Sequence, residues 1–491
     1  VSTSSDYPKY DTATIILAAG LGTRMRSKRA KVLHEICGEP MIVRLARKVA
    51  GRDAGQSPVV IVVGHQAREV EAAVRAALPT EQIIFAIQTE QRGTGDAARR
   101  GIAALPKEFD GAVQILYGDT PPLSPRINEN YFAEMRATRA ALGFISVVVD
   151  KPAKYGRVVR DAVGAVEKIV EARDASAAEQ EIREINAGYY YASHAHLLRE
   201  WLDELKQDNQ QSEYYLTDIV SIARSHGEKV EAWVADNPAE FAGINSRQEL
   251  ANMEAQIRSS VNSKLMEAGV TLVDPASAYI SEQAEIAPDC VIGPNVQILG
   301  KCKIAEGVRI DGTAWLCNVT IGPRCHLKLG VRAEDCVIGE DCELGPFANL
   351  RAGTELEGHN RIGNFVETKK ARIGRGTKAS HLSYLGDATI GADTNVGCGV
   401  ITVNYDGYDK HHTHIGSRCM IGCDTQLIAP VKVGDDVYVA SGTTIVREVA
   451  DGALVMSHHP QREKPGWMAA WRKRHGDSPD GSLKRSKPSE E

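Results

Sequence analysis

Glu285-Ile286-Ala-Pro-Asp-Cys-Val-Ile292-Gly-Pro-Asn-Val-Gln-Ile298 sets a count of six that decides the C-terminal fold. Ile304 and Ile310 continue it. It returns at Ile338, Leu344, Leu350, Leu356 and Ile362, and again at Ile415, Ile421, Leu427, Val433, Val439 and Ile445. Glycine often follows the aliphatic residue, as at Gly293, Gly322, Gly339, Gly363, Gly391 and Gly422. A fixed short period implies a solenoid, whose units bury their apolar side only by stacking on the next unit. Breaks in the count then point to inserted function.

Outward from that stretch, 491 residues predict two to four domains, and an apolar content of 43% supports real cores. A net charge of −6 argues against general nucleic-acid binding, which rests on phosphate neutralisation. No apolar run approaches the roughly 20 residues of a membrane helix. The polar stretch Val1 to Tyr10 lacks a secretory pattern, so a cytoplasmic enzyme is expected. The ten cysteines contain no C-x-x-C pair. Cys290, Cys302, Cys325, Cys342 and Cys419 fall four residues after the aliphatic and read as small inward-facing residues, not as disulfides or zinc ligands.

Residues 12 to about 245 alternate apolar runs (Thr14–Leu17, Val59–Val63, Ile83–Ile87, Val113–Leu116, Phe144–Val149) with helical patterns such as Ala67–Ala77 and Asp96–Ala104. That layout predicts an open, mostly parallel sheet covered by helices, with its ligand at the carboxyl ends of the strands. Leu250, Met253, Ile257, Val261 and Leu265 predict a joining helix over 246–267, capped by Ser246. The expected division is therefore 1–245, 246–267 and 268–491, with the last fifteen or so polar residues disordered.

Leu17-Ala18-Ala19-Gly20-Leu-Gly22-Thr23-Arg24-Met25 follows the first strand directly. Its glycines permit a tight turn and close approach to a ligand, and its amides suit an anion. Arg24 and Lys31 add two cations. The spacing fits neither a Walker loop nor a dinucleotide fingerprint. Tyr117-Gly118-Asp119 ends an apolar strand, which places Asp119 where a ligand is expected.

Leu17, Gly20, Gly22, Thr23, Met25 and Lys31 resemble the signature L-x-x-G-x-G-T-x-M plus lysine of the sugar-1-phosphate nucleotidylyltransferases. Ala30 stands where that family usually has proline. The resemblance implies a Rossmann-like nucleotidyltransferase domain in which a sugar phosphate attacks a nucleoside triphosphate and pyrophosphate leaves. Through it, Gln88, Gly93 and Thr94 are expected to read a uracil edge. Tyr117, Gly118, Gly156, Glu171, Asn186 and Asn245 are expected to hold the UDP-sugar together with Leu17, Ala18, Ala19, Gly20 and Lys31. Asp119 and Asn245 are the expected Mg²⁺ ligands, and Arg24 and Lys31 stabilise the leaving pyrophosphate.

After Ile362 the count turns eventful: Asn364-Phe-Val-Glu367-Thr-Lys369-Lys370, then His381-Leu-Ser-Tyr384. It resumes at Ile390 and Val396 and fails over Asn404 to His414, which must leave the stack as a loop. N-F-V-E-x-K-K, H-L-x-Y-x-G-D and N-Y-D-G resemble the left-handed β-helix acyltransferases. Behind a nucleotidyltransferase half, they resemble the bifunctional N-acetylglucosamine-1-phosphate uridyltransferase/glucosamine-1-phosphate acetyltransferase family over residues 12 to 467. That resemblance implies a left-handed parallel β-helix of hexapeptide repeats and a homotrimer with acetyl sites between neighbours. His381 is the expected general base toward the amine, with Glu367 orienting the imidazole or holding the charged amine. Arg351, Lys369, Tyr384 and Asn395 are expected to hold the acetyl acceptor. Cys398, Asn404, Tyr405, Cys423, Ser441 and His458 are expected to bind acetyl-CoA. The family often has alanine at Cys398 and Ser441, serine at Cys423 and arginine at His458. Trp467 with Arg472, Lys473 and Arg474 either covers coenzyme A from a neighbouring subunit or belongs to a disordered tail.

The implied activity is two-step synthesis of UDP-N-acetylglucosamine for peptidoglycan and lipopolysaccharide. Acetyl-CoA acetylates glucosamine-1-phosphate, and UTP then uridylylates N-acetylglucosamine-1-phosphate. No nucleic acid or membrane partner is expected. The rival readings are a single-activity nucleotidyltransferase with a structural solenoid, and a non-catalytic scaffold. A preference for dTTP or ATP would revise the N-terminal assignment without touching the mechanism.

Overall fold

The chain is described by a computed structural model over residues 12–50, 57–80, 82–120, 125–241, 243–457 and 461–475. His458 and the expected disordered tail after residue 475 lie outside the described residues. Two compact units emerge, one of residues 1–264 with 279–282, the other of 265–278 with 283–491. The predicted joining helix forms as Arg247–Glu267, and the boundary between units falls within its last turn.

In the first unit Val59–Val63 is buried at every position, as a strand covered on both faces requires. It belongs to a nine-stranded sheet whose main path runs Val230–Ala235, Leu142–Val148, Glu184–Ala192, Ala112–Tyr117, Thr12–Leu17, Val59–Val63, Ile83–Ile87. Along that path only Glu184–Ala192 runs antiparallel to its neighbours. Alternating residues feed two cores. Ile15, Val60 and Val62 pack with Ala98, Trp201 and Ile219 on one face. Ile16 and Ile61 pack with Ile42, Leu45, Val70 and Val74 on the other. The strands Thr12–Leu17, Ile83–Ile87 and Ala112–Tyr117 end where the glycine loop, Gln88 and Asp119 begin.

The second unit is a coiled parallel sheet of 26 strands in which each early strand pairs with the third one after it, so three strands make one coil. Val291 pairs with Arg309, and Arg309 with His326, giving coils of 18 and 17 residues. A side of five residues is therefore tolerated. This changes the reading of the stretch after Ile362. Ile362 pairs with Ala379, Thr368 with Leu385 and Ile373 with Ile390, so the stack continues without interruption through two 13-residue strands, Arg361–Ile373 and Lys378–Ile390. The aliphatic count is lost there because Thr368 takes an inward place, its hydroxyl bonded to that of Thr354 at 3.0 Å. The true insertion is 404–412: Ala388 pairs with Thr413, 25 residues on.

The inward cysteines share a column with hydroxyls. Successive backbone bonds align Cys325, Cys342, Asn360, Thr377, Thr394 and Cys419 on neighbouring coils. Cys325 Sγ donates to Gly339 O at 3.0 Å and Cys419 Sγ to Gly434 O at 3.1 Å. Thr377 Oγ1 donates to Gly391 O at 2.6 Å and Thr394 Oγ1 to Gly416 O at 2.8 Å. These thiols are thus small interior donors as well as apolar filling. All ten cysteines are free.

Candidate functional sites

Gly22 has left-handed backbone (φ 61), and a Cβ there would lie 2.6 Å from Lys31 Cβ. Only glycine lets the loop close onto Lys31 in this way. Ala30 replaces the usual proline yet holds φ −53, within the range proline itself would impose, so the approach to Lys31 is kept. The Lys31 ammonium pairs with the Asp119 carboxylate and donates to Asn245 Oδ1 at 3.2 Å. Arg24 Nη2 donates to the same Asn245 oxygen at 2.8 Å. Asn245 is fixed from both sides: the Ile244 amide donates to Asp119 O at 2.9 Å, and the Asn245 amide to Glu249 Oε2 at 2.6 Å. Four residues from three distant parts of the sequence thus converge on one point.

Beside them lies a cavity of about 320 Å³ lined by Leu17, Ala18, Ala19, Gly20, Lys31, Gln88, Gly93, Thr94, Tyr117 and Asp119, all expected from sequence. Val32, Gln91, Ala97 and Glu213 also line it and carried no sequence signal. Gln91 Nε2 donates to Ala19 O at 2.8 Å and so braces the loop. Gln88 Nε2 donates to Gly93 O at 3.0 Å and to Asp96 Oδ2 at 2.8 Å. With both amide hydrogens engaged, Gln88 offers its oxygen as an acceptor.

The remaining expected residues sit around the adjoining hairpin. The Gly118 amide donates to Leu17 O at 2.9 Å, tying the two strand ends together. A Cβ on Gly156 would come within 2.9 Å of Ile169 and 3.6 Å of Glu171 Oε1. Burial raises the Glu171 carboxyl above its ordinary pKa, opposed by the Thr217 hydroxyl, which donates to it at 3.2 Å. Burial also raises Asp218, to about 6, with Asp174 adding repulsion. Asn186 sits at a bulge: it accepts from the Gly188 amide at 3.0 Å and donates to Tyr190 Oη at 2.5 Å. Burial likewise raises the Tyr117 phenol well above its usual value.

In the second unit His381 is exposed on the coil surface, one coil from Asn364. Glu367 accepts from Arg351 Nη1 at 2.8 Å and from Asn349 Nδ2 at 3.4 Å. Its carboxylate therefore holds positive charge; among the described hydrogen bonds none joins it to His381. Asn404 Nδ2 donates to Asp387 Oδ2 at 2.5 Å and to Tyr384 Oη at 3.4 Å. Gly386 lacks the Cβ that would strike the Tyr384 ring. Lys410, on the inserted loop, lowers the Lys369 pKa most, with Arg351 adding to it and Asp387 opposing. Arg351, Lys369 and Lys410 thus form a cationic cluster. Lys410 lies in the insertion, where no repeat position marks it, and Asp387 closes the motif H-L-x-Y-x-G-D without an expected role of its own.

Other expected residues lie on the inserted loop and the following coils, Tyr405 pairing with Lys410 in an antiparallel bridge. Asn395 Nδ2 contacts Met420 Sδ at 3.3 Å. Tyr405 is 56% exposed on the loop, its hydroxyl donating to Gly407 O at 2.6 Å. Cys398, Cys423 and Ser441 occupy equivalent corners of three successive coils. Trp467 begins a short helix, Trp467–Arg474, and stacks on Trp471.

A nucleotidyltransferase sheet with its cationic loop and a hexapeptide solenoid with its own polar cluster together define a two-part transferase. Residues 14–188 match the MobA-like NTP transferase domain, 275–354 the GMPPB C-terminal domain and 412–447 the bacterial transferase hexapeptide (six repeats). The chain is 45% identical to the bifunctional protein GlmU of Pelobacter propionicus over 464 residues, covering 94% of this chain and 99% of that one. The GlmU of Trichlorobacter lovleyi is 44% identical over 93% of this chain and 98% of its own length. That of Streptomyces avermitilis is 41% identical over 95% of each. The chain belongs to the GlmU family of bifunctional proteins.

Proposed function

We propose that this chain makes UDP-N-acetylglucosamine at two separate sites. The solenoid transfers the acetyl group of acetyl-CoA to glucosamine-1-phosphate, and the N-terminal unit couples the product to UMP from UTP. The observation that carries this reading is the pair of independent polar clusters: Arg24, Lys31, Asp119 and Asn245 beside a nucleotide-sized cavity, and Arg351, Lys369, Tyr384 and Asn404 on the coils near His381. Family membership supports the same reading.

In uridylyl transfer the loop amides around Gly20 hold the triphosphate, and Arg24 and Lys31 neutralise charge as pyrophosphate departs. The Gln88 oxygen accepts the N3–H of uracil, which cytosine lacks. Gly156 and Asn186 line the approach of the sugar, and Glu171 accepts from its hydroxyls. Asp119 Oδ2 and Asn245 Oδ1 already converge on one cation, the Lys31 ammonium, and their oxygen donors suit Mg²⁺. When bound there, Mg²⁺ supplies Lewis acidity to the phosphates. In acetyl transfer Arg351, Lys369 and Lys410 hold the sugar phosphate, while Tyr384 and Asn395 position the ring. His381 removes the proton of the attacking amine, and Cys398, Asn404, Tyr405, Cys423 and Ser441 line the coenzyme A path.

A homotrimer is supported by an exposed apolar column close to His381. Phe347 and Phe365 stack with centroids 5.6 Å apart, and Leu382 follows on the next coil. Among the described residues no helix is long and apolar enough to cross a membrane, in keeping with a cytoplasmic enzyme using small-molecule substrates. Omission assays test the whole reading. Glucosamine-1-phosphate and acetyl-CoA alone are expected to release free thiol, and N-acetylglucosamine-1-phosphate, UTP and Mg²⁺ to release pyrophosphate. Absence of either product removes that half of the proposal.

A further inference from the structure

Cys398 and Cys423 are exposed, whereas Cys290, Cys302, Cys325, Cys336, Cys342 and Cys419 are buried. They stand at one register position on successive coils. The pairs Asn395 with Met420 and Val396 with Ile421 lead into them. The Gly397 amide donates to Ile421 O at 2.9 Å, and the Asp424 amide to Cys398 O at 2.7 Å. The residue after each cysteine has left-handed backbone, Gly399 at φ 78 and Asp424 at φ 59, so the two corners share one shape. Residues stacked on adjacent strands lie about 5 Å apart. A disulfide spans Cα separations of about 4.4 to 6.8 Å.

We propose that Cys398 and Cys423 form a reversible dithiol–disulfide couple, a modification site that low-molecular-weight disulfides such as coenzyme A disulfide oxidise, and that closing it blocks acetyl transfer. The effect on acetyl transfer rests on the functional reading above; the couple itself does not. One cysteine thiolate attacks the small disulfide, forming a mixed disulfide and expelling one small thiolate. The second cysteine thiolate attacks the protein-bound sulfur, forming the Cys398–Cys423 bond and expelling the other. The two expelled thiolates take up the two protons that the cysteines lose. The protein sulfurs together give up two electrons, and the small disulfide receives them. The bridge draws both side chains along the column that also carries Ser441, the path assigned to coenzyme A.

The test treats the full chain with coenzyme A disulfide, blocks remaining thiols with N-ethylmaleimide under denaturing conditions, and maps peptides by mass spectrometry. The expected product is about 2 Da lighter before alkylation, with one cross-linked peptide joining Cys398 to Cys423. Acetyl transfer is expected to fall about tenfold or more and to return with dithiothreitol, while uridylyl transfer is unchanged. In Cys398→Ala or Cys423→Ser, whatever acetyl-transfer rate remains is expected to be insensitive to the oxidant. A stable mixed disulfide with no internal bridge, a bridge at Cys325 and Cys342 instead, or full acetyl transfer with the bridge formed would each overturn the proposal. A bridge formed in protein that never transfers acetyl groups upholds the couple and refutes the functional reading.

Discussion

Gly22→Ala tests how the nucleotide loop places its lysine. The backbone at Gly22 has φ 61, which a side chain resists by about 1–2 kcal/mol. The new Cβ would sit 2.6 Å from Lys31 Cβ, where ordinary contact begins at 3.4 Å, so Lys31 must retreat by close to an ångström. Misplacement of about 1 Å in a positioned group reduces rate about 10²-fold, or about 2.7 kcal/mol in the barrier. Lys31 also anchors Asp119 and Asn245, so all three move together. The assay measures pyrophosphate release and acetyl-CoA thiol release on the same preparation, with a thermal melt. Uridylyl transfer is expected to fall about a hundredfold, mainly in kcat, with acetyl transfer unchanged and the melting temperature down by about 2–8 °C. A folded variant whose uridylyl rate stays within about threefold would show that Gly22 does not set the place of Lys31.

Gly20→Ala should behave differently. Its Cβ meets nothing within 4 Å and points into space that the ligand needs, so KM for UTP should rise about tenfold with no change in melting temperature. Asp119→Asn should lower uridylyl transfer about 10²–10³-fold and spare acetyl transfer, and His381→Ala should do the reverse; rates of both half-reactions on each variant check this. Because burial raises Asp218 to about 6, the folded state holds its proton more tightly than the unfolded chain, so stability declines as pH rises from about 4 through 6. Asp218→Asn should therefore raise the melting temperature at pH 7.5 and leave it nearly unchanged at pH 4, as calorimetry at the two pH values can show. Phe365→Asp should break the stacked column, giving a smaller species by light scattering and weak acetyl transfer with uridylyl transfer intact.

The strands and helices of the N-terminal unit were legible because short apolar runs stand out from the amphipathic helical patterns between them. Val59–Val63, Ile83–Ile87 and Ala67–Ala77 form with the bounds that the hydrophobic pattern predicts. The stack was legible wherever aliphatics fill the inward places. It was misread where Thr368 takes such a place, because a buried hydroxyl paired with Thr354 looks polar in sequence and inward in space. Lys410 escaped for another reason. It meets Lys369 only after a 25-residue coil has folded back, and no local pattern announces such a meeting. Gln91 reaches Ala19 across 72 residues, and Glu213 joins the same cavity from farther along the chain still.

The column of interior thiols also serves as a set of clocks. Cys290, Cys325, Cys342 and Cys419 sit at different heights along the coil axis, each shut away from solvent. A reagent can reach any of them only while its own turn of the solenoid is prised from the next. Their individual labelling rates would thus rank the turns by how readily each one opens, and would show whether the stack frays from an end or parts in the middle.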